Sequence, residues 1–146
     1  MIAVDTNVLV YAHRREVREH SAARSKLAEL ASGTAAWAIP WPCVYEFYSV
    51  VTNRRIWKDS ASTQQEAWYE VEAWLDSPSL QLLSEAQDFA HVLAGLVRRP
   101  RVCGPAVHDA RIAALCLAHG VEALLTRDRD FSFFPELKTR NPFAEV

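Results

Sequence analysis

Cysteine is scarce in this chain, and what there is forms no framework. Cys43, Cys103 and Cys116 make no CxxC pair and leave an odd count. That excludes a conventional zinc-ligand spacing and argues against a disulfide scaffold. They read as reduced thiols in the core of a cytoplasmic protein. An excess of positive charge is also lacking. The formal net charge is -2 at pH 7, so nucleic-acid binding is not written in the bulk charge. Long apolar runs are missing too. The longest stretch without a charged residue, Leu30 to Tyr45, is broken by Ser, Gly, Thr and two prolines, and cannot span a bilayer. Asp5 interrupts the first apolar run and no basic segment precedes it, which is unlike a signal peptide. GxGxxG, Walker, GxSxG and local Cys–His signatures are absent, as are internal repeats and low-complexity tracts. These absences set aside several common enzyme classes.

What is present suits one globular domain spanning residues 1–146. Half the residues are hydrophobic and 23% are charged, enough for a substantial core. Ile2-Ala-Val4 reads as a strand and Thr6 to His13 as a helix. A second helix fits Glu19 to Ala31, and Trp37-Ala-Ile39 a second strand. Pro42 suits the first turn of a helix reaching about Asn53. Ser62 or Thr63, with Gln65 or Glu66, forms a capping box for a helix whose apolar stripe is Trp68, Val71 and Leu75. Leu80 to Leu83 is a third strand, followed by helices over Asp88 to Arg98 and Ala106 to His119. Ala123-Leu-Leu125 is a fourth strand, and Leu137 to Thr139 a short fifth. Strands alternating with helices predict a parallel sheet covered on both faces.

The informative residues are carboxylates in unusual places. Asp5 closes the first strand and opens the first helix, where a bland role as N-cap competes with a site role. Glu46 is the only charged residue between Glu29 and Arg54, a costly setting unless an arginine or a cation partners it. Asp109 heads an apolar stripe of Ile112, Ala113, Cys116 and Leu117, so it points inward. Arg111 is two residues on and does not face it. Asp128 and Asp130 follow the fourth strand, as a polar turn would. Asp5 and Asp128 nevertheless both fall at carboxyl ends of strands, where ligands of parallel sheets collect. Carboxylates from four distant segments would repel one another, and a divalent cation removes that conflict. An all-oxygen set without His or Cys spacing favours Mg²⁺ or Mn²⁺ over zinc.

Val4-Asp-Thr-Asn7 followed by Val-Leu-Val-Tyr11 is one motif, and Pro42-Cys-Val-Tyr-Glu-Phe47 a second. Val107-His-Asp-Ala-Arg-Ile-Ala-Ala114 and Leu125-Thr-Arg-Asp-Arg-Asp-Phe131 complete the set. In this order they resemble the PIN-domain nucleases, specifically VapC-type toxins, over nearly the whole chain. The resemblance implies a three-layer α/β/α fold with a central, mostly parallel sheet. It implies an acidic metal site of Asp5, Glu46, Asp109 and Asp128, with Thr6, Thr126 and Asp130 in support and Asn7 holding the turn. It further implies an Mg²⁺- or Mn²⁺-dependent endoribonuclease that leaves a 5′-phosphate and a 3′-hydroxyl. The expected partners are a VapB-like antitoxin and a second copy of the chain, with no membrane involved. Residues 55–78 resemble the helical arm that such toxins use for dimer or antitoxin contacts, although packing on the domain's own core explains them equally well.

Three alternatives differ in class. A PIN nuclease for RNA maturation or DNA flap cleavage would work without an antitoxin, and an inactive PIN-like module would bind without cutting. A phosphatase of the haloacid dehalogenase type would want Asp-x-Asp where this chain has Asp5-Thr-Asn7. Setting the five candidate acids apart from the 18 acidic residues leaves 13 against 16 basic ones. Arginines 14, 15 and 18, then 54, 55 with Lys58, then 98, 99 and 101, form clusters, and Arg127 and Arg129 interleave with the acidic turn. Each cluster alone suits a solvated face, but a basic rim around an acidic centre suits phosphate contacts. His108 would point about 100° away from Asp109 on a helix, and His13, His20, His91 and His119 show no ligand spacing. Trp37 and Trp41 are expected to pack rather than stack on bases.

Overall fold

The central strands, Ile2–Val4, Trp37–Pro40 and Ala123–Leu125, are too apolar to face water and force helices onto both sides of the sheet. The computed structural model describes residues 1–144, so the expected domain limit at residue 146 lies outside them. The order is β1 (Ile2–Val4), α1 (Thr6–His13), α2 (His20–Ser32), β2 (Trp37–Pro40), α3 (Trp41–Val51) and α4 (Arg54–Trp57). A 3-10 turn at Lys58–Ser60 leads to α5 (Gln64–Leu75), β3 (Leu80–Leu83), α6 (Phe89–Val97) and α7 (Ala106–Ala118). β4 (Ala123–Leu125), a second 3-10 turn at Arg129–Phe133 and β5 (Thr139–Arg140) follow. The fifth strand lies slightly beyond its expected position.

All strands pair in parallel, in the order β3-β2-β1-β4-β5. The chain moves outward from β1 through β2 to β3, then returns to the far side of β1. Right-handed crossovers therefore put α1, α2, α3 and α5 on one face and α6 and α7 on the other. The result is a three-layer α/β/α sandwich. The reversal falls between β1 and β4, where Val4 lies beside Leu125. Two loops diverge there and open a crevice.

Periodicity and capping explain most element ends. The Thr63 hydroxyl accepts from the Glu66 backbone amide, fixing the start of α5. Gly120, at φ 68, ends α7, a left-handed position that costs glycine nothing. The stripe expected on α5 is corrected. Ala67, Val71 and Trp74 are the buried residues, whereas Trp68 and Leu75 are 46% and 41% exposed. Trp74 meets Phe47 edge to face at 4.6 Å between ring centres, an aromatic contact worth about 0.5–1.5 kcal/mol beyond burial. That contact selects which face of α5 turns inward. The cysteine expectation is also corrected in part, because Cys43 and Cys116 are buried but Cys103 is exposed. Among the described residues no helix is long and apolar enough to cross a membrane.

Candidate active site

The crevice at the strand-order reversal collects the carboxylates. Asp5, Glu46, Asp109 and Asp128 line one cavity of about 300 Å³. Asp5 arrives on the end of β1, Glu46 on α3, Asp109 in the first turn of α7 and Asp128 on the loop after β4. Asp109, Asp128 and Asp130 each offer a carboxylate oxygen within 4.8 Å of the others. Asp5 is in the shared cavity but outside that tight group of three.

Asp5 is buried, and both of its oxygens accept hydrogen bonds. Oδ1 accepts from the Thr6 backbone amide at 2.8 Å and from the Cys43 thiol at 3.5 Å. Oδ2 accepts from the Thr126 hydroxyl at 2.7 Å and the Asn7 amide at 3.2 Å. The modest reading of Asp5 as an N-cap is therefore true, and it coexists with a place in the cavity. Burial raises the Asp5 pKa from its ordinary value. The bonds from Thr126, Thr6 and Cys43 oppose the rise, while Glu46 adds to it. Beneath it, burial and the neighbouring Asp5 push Cys116 up to about 12, so this thiol stays protonated and inert.

Thr126 and Asn7 tie the two loops together. The Thr126 oxygen accepts from the Asn7 amide and from the Asp128 backbone amide, each at 3.0 Å, while its own proton goes to Asp5. Asn7 in turn accepts from the Arg127 amide at 3.0 Å. A hydroxyl with one donor and two lone pairs is saturated by this arrangement. Thr6 donates to Glu46 across 3.0 Å, which aims that carboxylate into the cavity. Glu46 is itself exposed. Its apolar sequence context reflects the buried face of α3 rather than its own surroundings.

Asp109 is half-buried, and its pKa is raised to about 6. Burial is the main cause, followed by repulsion from Asp128, Asp5, Asp130 and Glu46. Arginine does not relieve the cluster. Arg111 pairs with Glu85 and Arg127 with Glu19, and among the described residues no lysine or arginine lines the cavity. Four carboxylates in a cavity that no cationic side chain lines among the described residues are a donor set that fits a hard divalent ion. Asp128 also caps the following 3-10 turn by accepting from the Asp130 amide at 2.8 Å, which settles the orientation of that loop.

Trp57 belongs to the site without any signal in the sequence pattern. Its ring lines the same cavity, although it lies in the segment expected to form an outward arm. A short turn has no periodicity to betray its direction. Trp37 is buried as core, and Trp41 stacks on Tyr45 with ring centres 5.9 Å apart.

The PIN domain family model matches residues 2–137. The VapC ribonuclease Mb2897 of Mycobacterium bovis is 35% identical over 142 residues, 97% of this chain and 95% of its own. Ribonuclease VapC43 of Mycobacterium tuberculosis is 35% identical over the same shares of the two chains. The crystal structure of VapBC2 from Rickettsia felis, bound to a DNA fragment from the promoter, superposes with a TM-score of 0.67. It covers 97% of this chain and 98% of that one at 19% identity, a likeness of fold alone. On the family match and the mycobacterial relatives, the chain belongs to the PIN domain family, in its VapC branch.

Proposed function

We propose that this protein is the ribonuclease toxin of a VapBC-type toxin–antitoxin pair, hydrolysing RNA phosphodiester bonds at an acidic centre that holds Mg²⁺ or Mn²⁺. The observation that carries the reading is the convergence of Asp5, Glu46, Asp109 and Asp128 on one small cavity without a cationic side chain to offset them. Asp109, Asp128 and Asp5 would hold the ion, with Asp130 within reach of the first two. When bound, such an ion neutralises charge developing on the phosphate and acidifies water.

The chain's own groups do the rest. Thr126 fixes the orientation of the Asp5 carboxylate by donating to its Oδ2. Thr6 holds Glu46 at the cavity mouth, where it can orient water or accept its proton. Ile112, Val10 and Val50 form an apolar wall that limits water near the reacting phosphate. The relatives named as VapC ribonucleases and the toxin–antitoxin complex from Rickettsia felis support an RNA substrate and a VapB-like partner. An RNA substrate in turn supports a cytoplasmic site of action. Exposed Tyr45 and Trp68, on α3 and α5 beside Tyr48, line an apolar groove of about 830 Å³ that supports a homodimer through this face.

The test is cleavage of total cellular RNA by the purified chain with added Mg²⁺ or Mn²⁺, with 5′ ends mapped by sequencing. Asp109→Asn should lose activity by at least two orders of magnitude while keeping its fold. Equal cleavage by Asp109→Asn, or cleavage unaffected by chelator, would defeat the reading.

A further inference from the structure

Trp57 is held as firmly as a core residue, yet it borders the acidic cavity. Its indole N–H donates to the Val50 carbonyl at 2.9 Å. The Arg14 guanidinium lies over the ring, 4.0 Å from its centre. Arg14 is only 6% exposed. It is locked by bonds to the Ser60 carbonyl at 2.8 Å and the Ser62 hydroxyl at 3.3 Å, and by pairing with Glu16. Immediately after Trp57 the backbone turns through Lys58 at φ 54, the one non-glycine residue with positive φ among those described. A left-handed turn at lysine is sterically costly, and it persists only where surrounding contacts impose it. Several independent constraints therefore fix one indole in the wall of the acidic cavity.

Trp57 is nevertheless only partly buried, with Tyr11 and Ile112 in the same cavity wall. Arg14 covers one face of the ring, and Trp57 contributes to the wall of the cavity. At about 300 Å³ the space is at the small end of ligand-sized pockets, about 300–1,000 Å³. That is room for one nucleotide and not for a duplex.

We propose that Trp57 is the stacking platform for a single unpaired base next to the scissile phosphate, with Arg14 as its positioning residue. The inference rests on the ribonuclease reading above and narrows its substrate to RNA whose bases are free, in single strands or loops. A phosphate held through a divalent ion at Asp5 and Asp109 would carry its nucleoside within the same cavity, against the apolar wall. A base inside a helix has both faces covered and cannot make this contact. Stacking also accepts any base, so Trp57 selects for exposure rather than sequence.

The probe is a short unstructured RNA, used alone, annealed to its complement, and with single abasic riboses walked along it. Binding is measured in the Asp109→Asn background, so that the RNA is not consumed, and cleavage in the otherwise unaltered chain. Trp57→Ala should weaken binding of the single strand roughly 5- to 100-fold and raise KM more than it lowers kcat. Trp57→Phe should recover most of the loss, whereas Trp57→Leu, which fills the wall without an aromatic face, should not. One abasic position should make Trp57→Ala and its parent bind alike. Equal recovery by leucine and phenylalanine, an equal loss on the duplex and on every abasic strand, or no loss at all overturns the proposal. So does a variant that binds RNA normally but no longer binds the antitoxin, which would assign the wall to the protein partner. If the unaltered chain neither binds nor cuts RNA, the ribonuclease reading falls first. Normal cutting with an unchanged KM in Trp57→Ala removes only the stacking platform.

Discussion

Thr126 gives its hydroxyl proton to Oδ2 of Asp5 across 2.7 Å, a bond between residues 121 positions apart. It closes the gap between β1 and β4 at the point where strand order reverses. The same oxygen receives the Asn7 amide and the Asp128 backbone amide. One side chain therefore sets both ends of the acidic centre.

Thr126→Val keeps the shape of this side chain and removes all three bonds. Asp5 is left buried with one donor fewer, which should cost about 1–3 kcal/mol of stability in urea denaturation. Because the carboxylate also loses its orientation, Mg²⁺ affinity measured by calorimetry should fall roughly 10- to 100-fold. Thr126→Ser should restore both quantities. A valine variant with undiminished metal affinity would show that Thr126 serves the fold alone.

Asp109 makes the metal-free protein sensitive to pH. Its folded pKa is raised to about 6 from an ordinary value of 3.8, so between these values the folded state holds more protons than the unfolded one. Stability must then fall as pH rises through that window and level off above it. Asp5 is shifted the same way and steepens the fall. Saturating Mg²⁺ should cancel the loss near neutral pH, adding about 2.7 kcal/mol at a hundredfold excess over its Kd. Asp109→Asn should flatten the metal-free profile, and Asp5→Asn should reduce the response to metal. Denaturant titrations near pH 4.5 and pH 7, with and without metal, test all three.

The strands and main helices were legible because each combines an apolar run with a clear stop, such as Gly120 after α7. The acid set was legible for a different reason. Asp5 and Asp128 terminate strands, and Asp109 heads an apolar stripe, so each puts an acid at the edge of an apolar pattern. Trp57 was hidden because its direction depends on the turn at Lys58 and on Arg14, neither of which leaves a period in the sequence. On α5 the pattern misled. Trp68, Val71 and Leu75 recur at helical spacing, but so do Ala67, Val71 and Trp74, and only the edge-to-face contact of Trp74 with Phe47 decides between them.

That decision leaves Trp68 facing outward beside Tyr45 and Tyr48. If two copies meet on this face, Trp68→Glu should give a monomer by light scattering. The melting temperature of the monomer should change little once protein concentration is accounted for, since the residue is 46% exposed. Val71→Glu, one turn away on the buried face, should instead prevent folding. A Trp68→Glu chain that still dimerises would place the interface elsewhere.

The arginines near the acidic centre are not equivalent, and their pairings say which can meet phosphate. Arg111 is spent on Glu85, with Oε1 2.6 Å from its guanidinium. Arg127 is anchored by Glu19 at 2.7 Å and lies over the Tyr11 ring. Arg129 forms no ion pair among the described residues and sits between Asp128 and Asp130, where it lines a cleft of about 500 Å³ with Arg18 and Arg127. A phosphate arriving there would displace counterions from Arg129 without first breaking a salt bridge. Arg129→Gln should therefore lower the slope of log affinity against log salt by about 0.7 for single-stranded RNA. Arg111→Gln should leave the slope unchanged, because its charge is already neutralised. Matching slopes in the two variants would mean that the strand does not pass along the Arg129 side of the cavity, and that the free arginine is only a solvated charge.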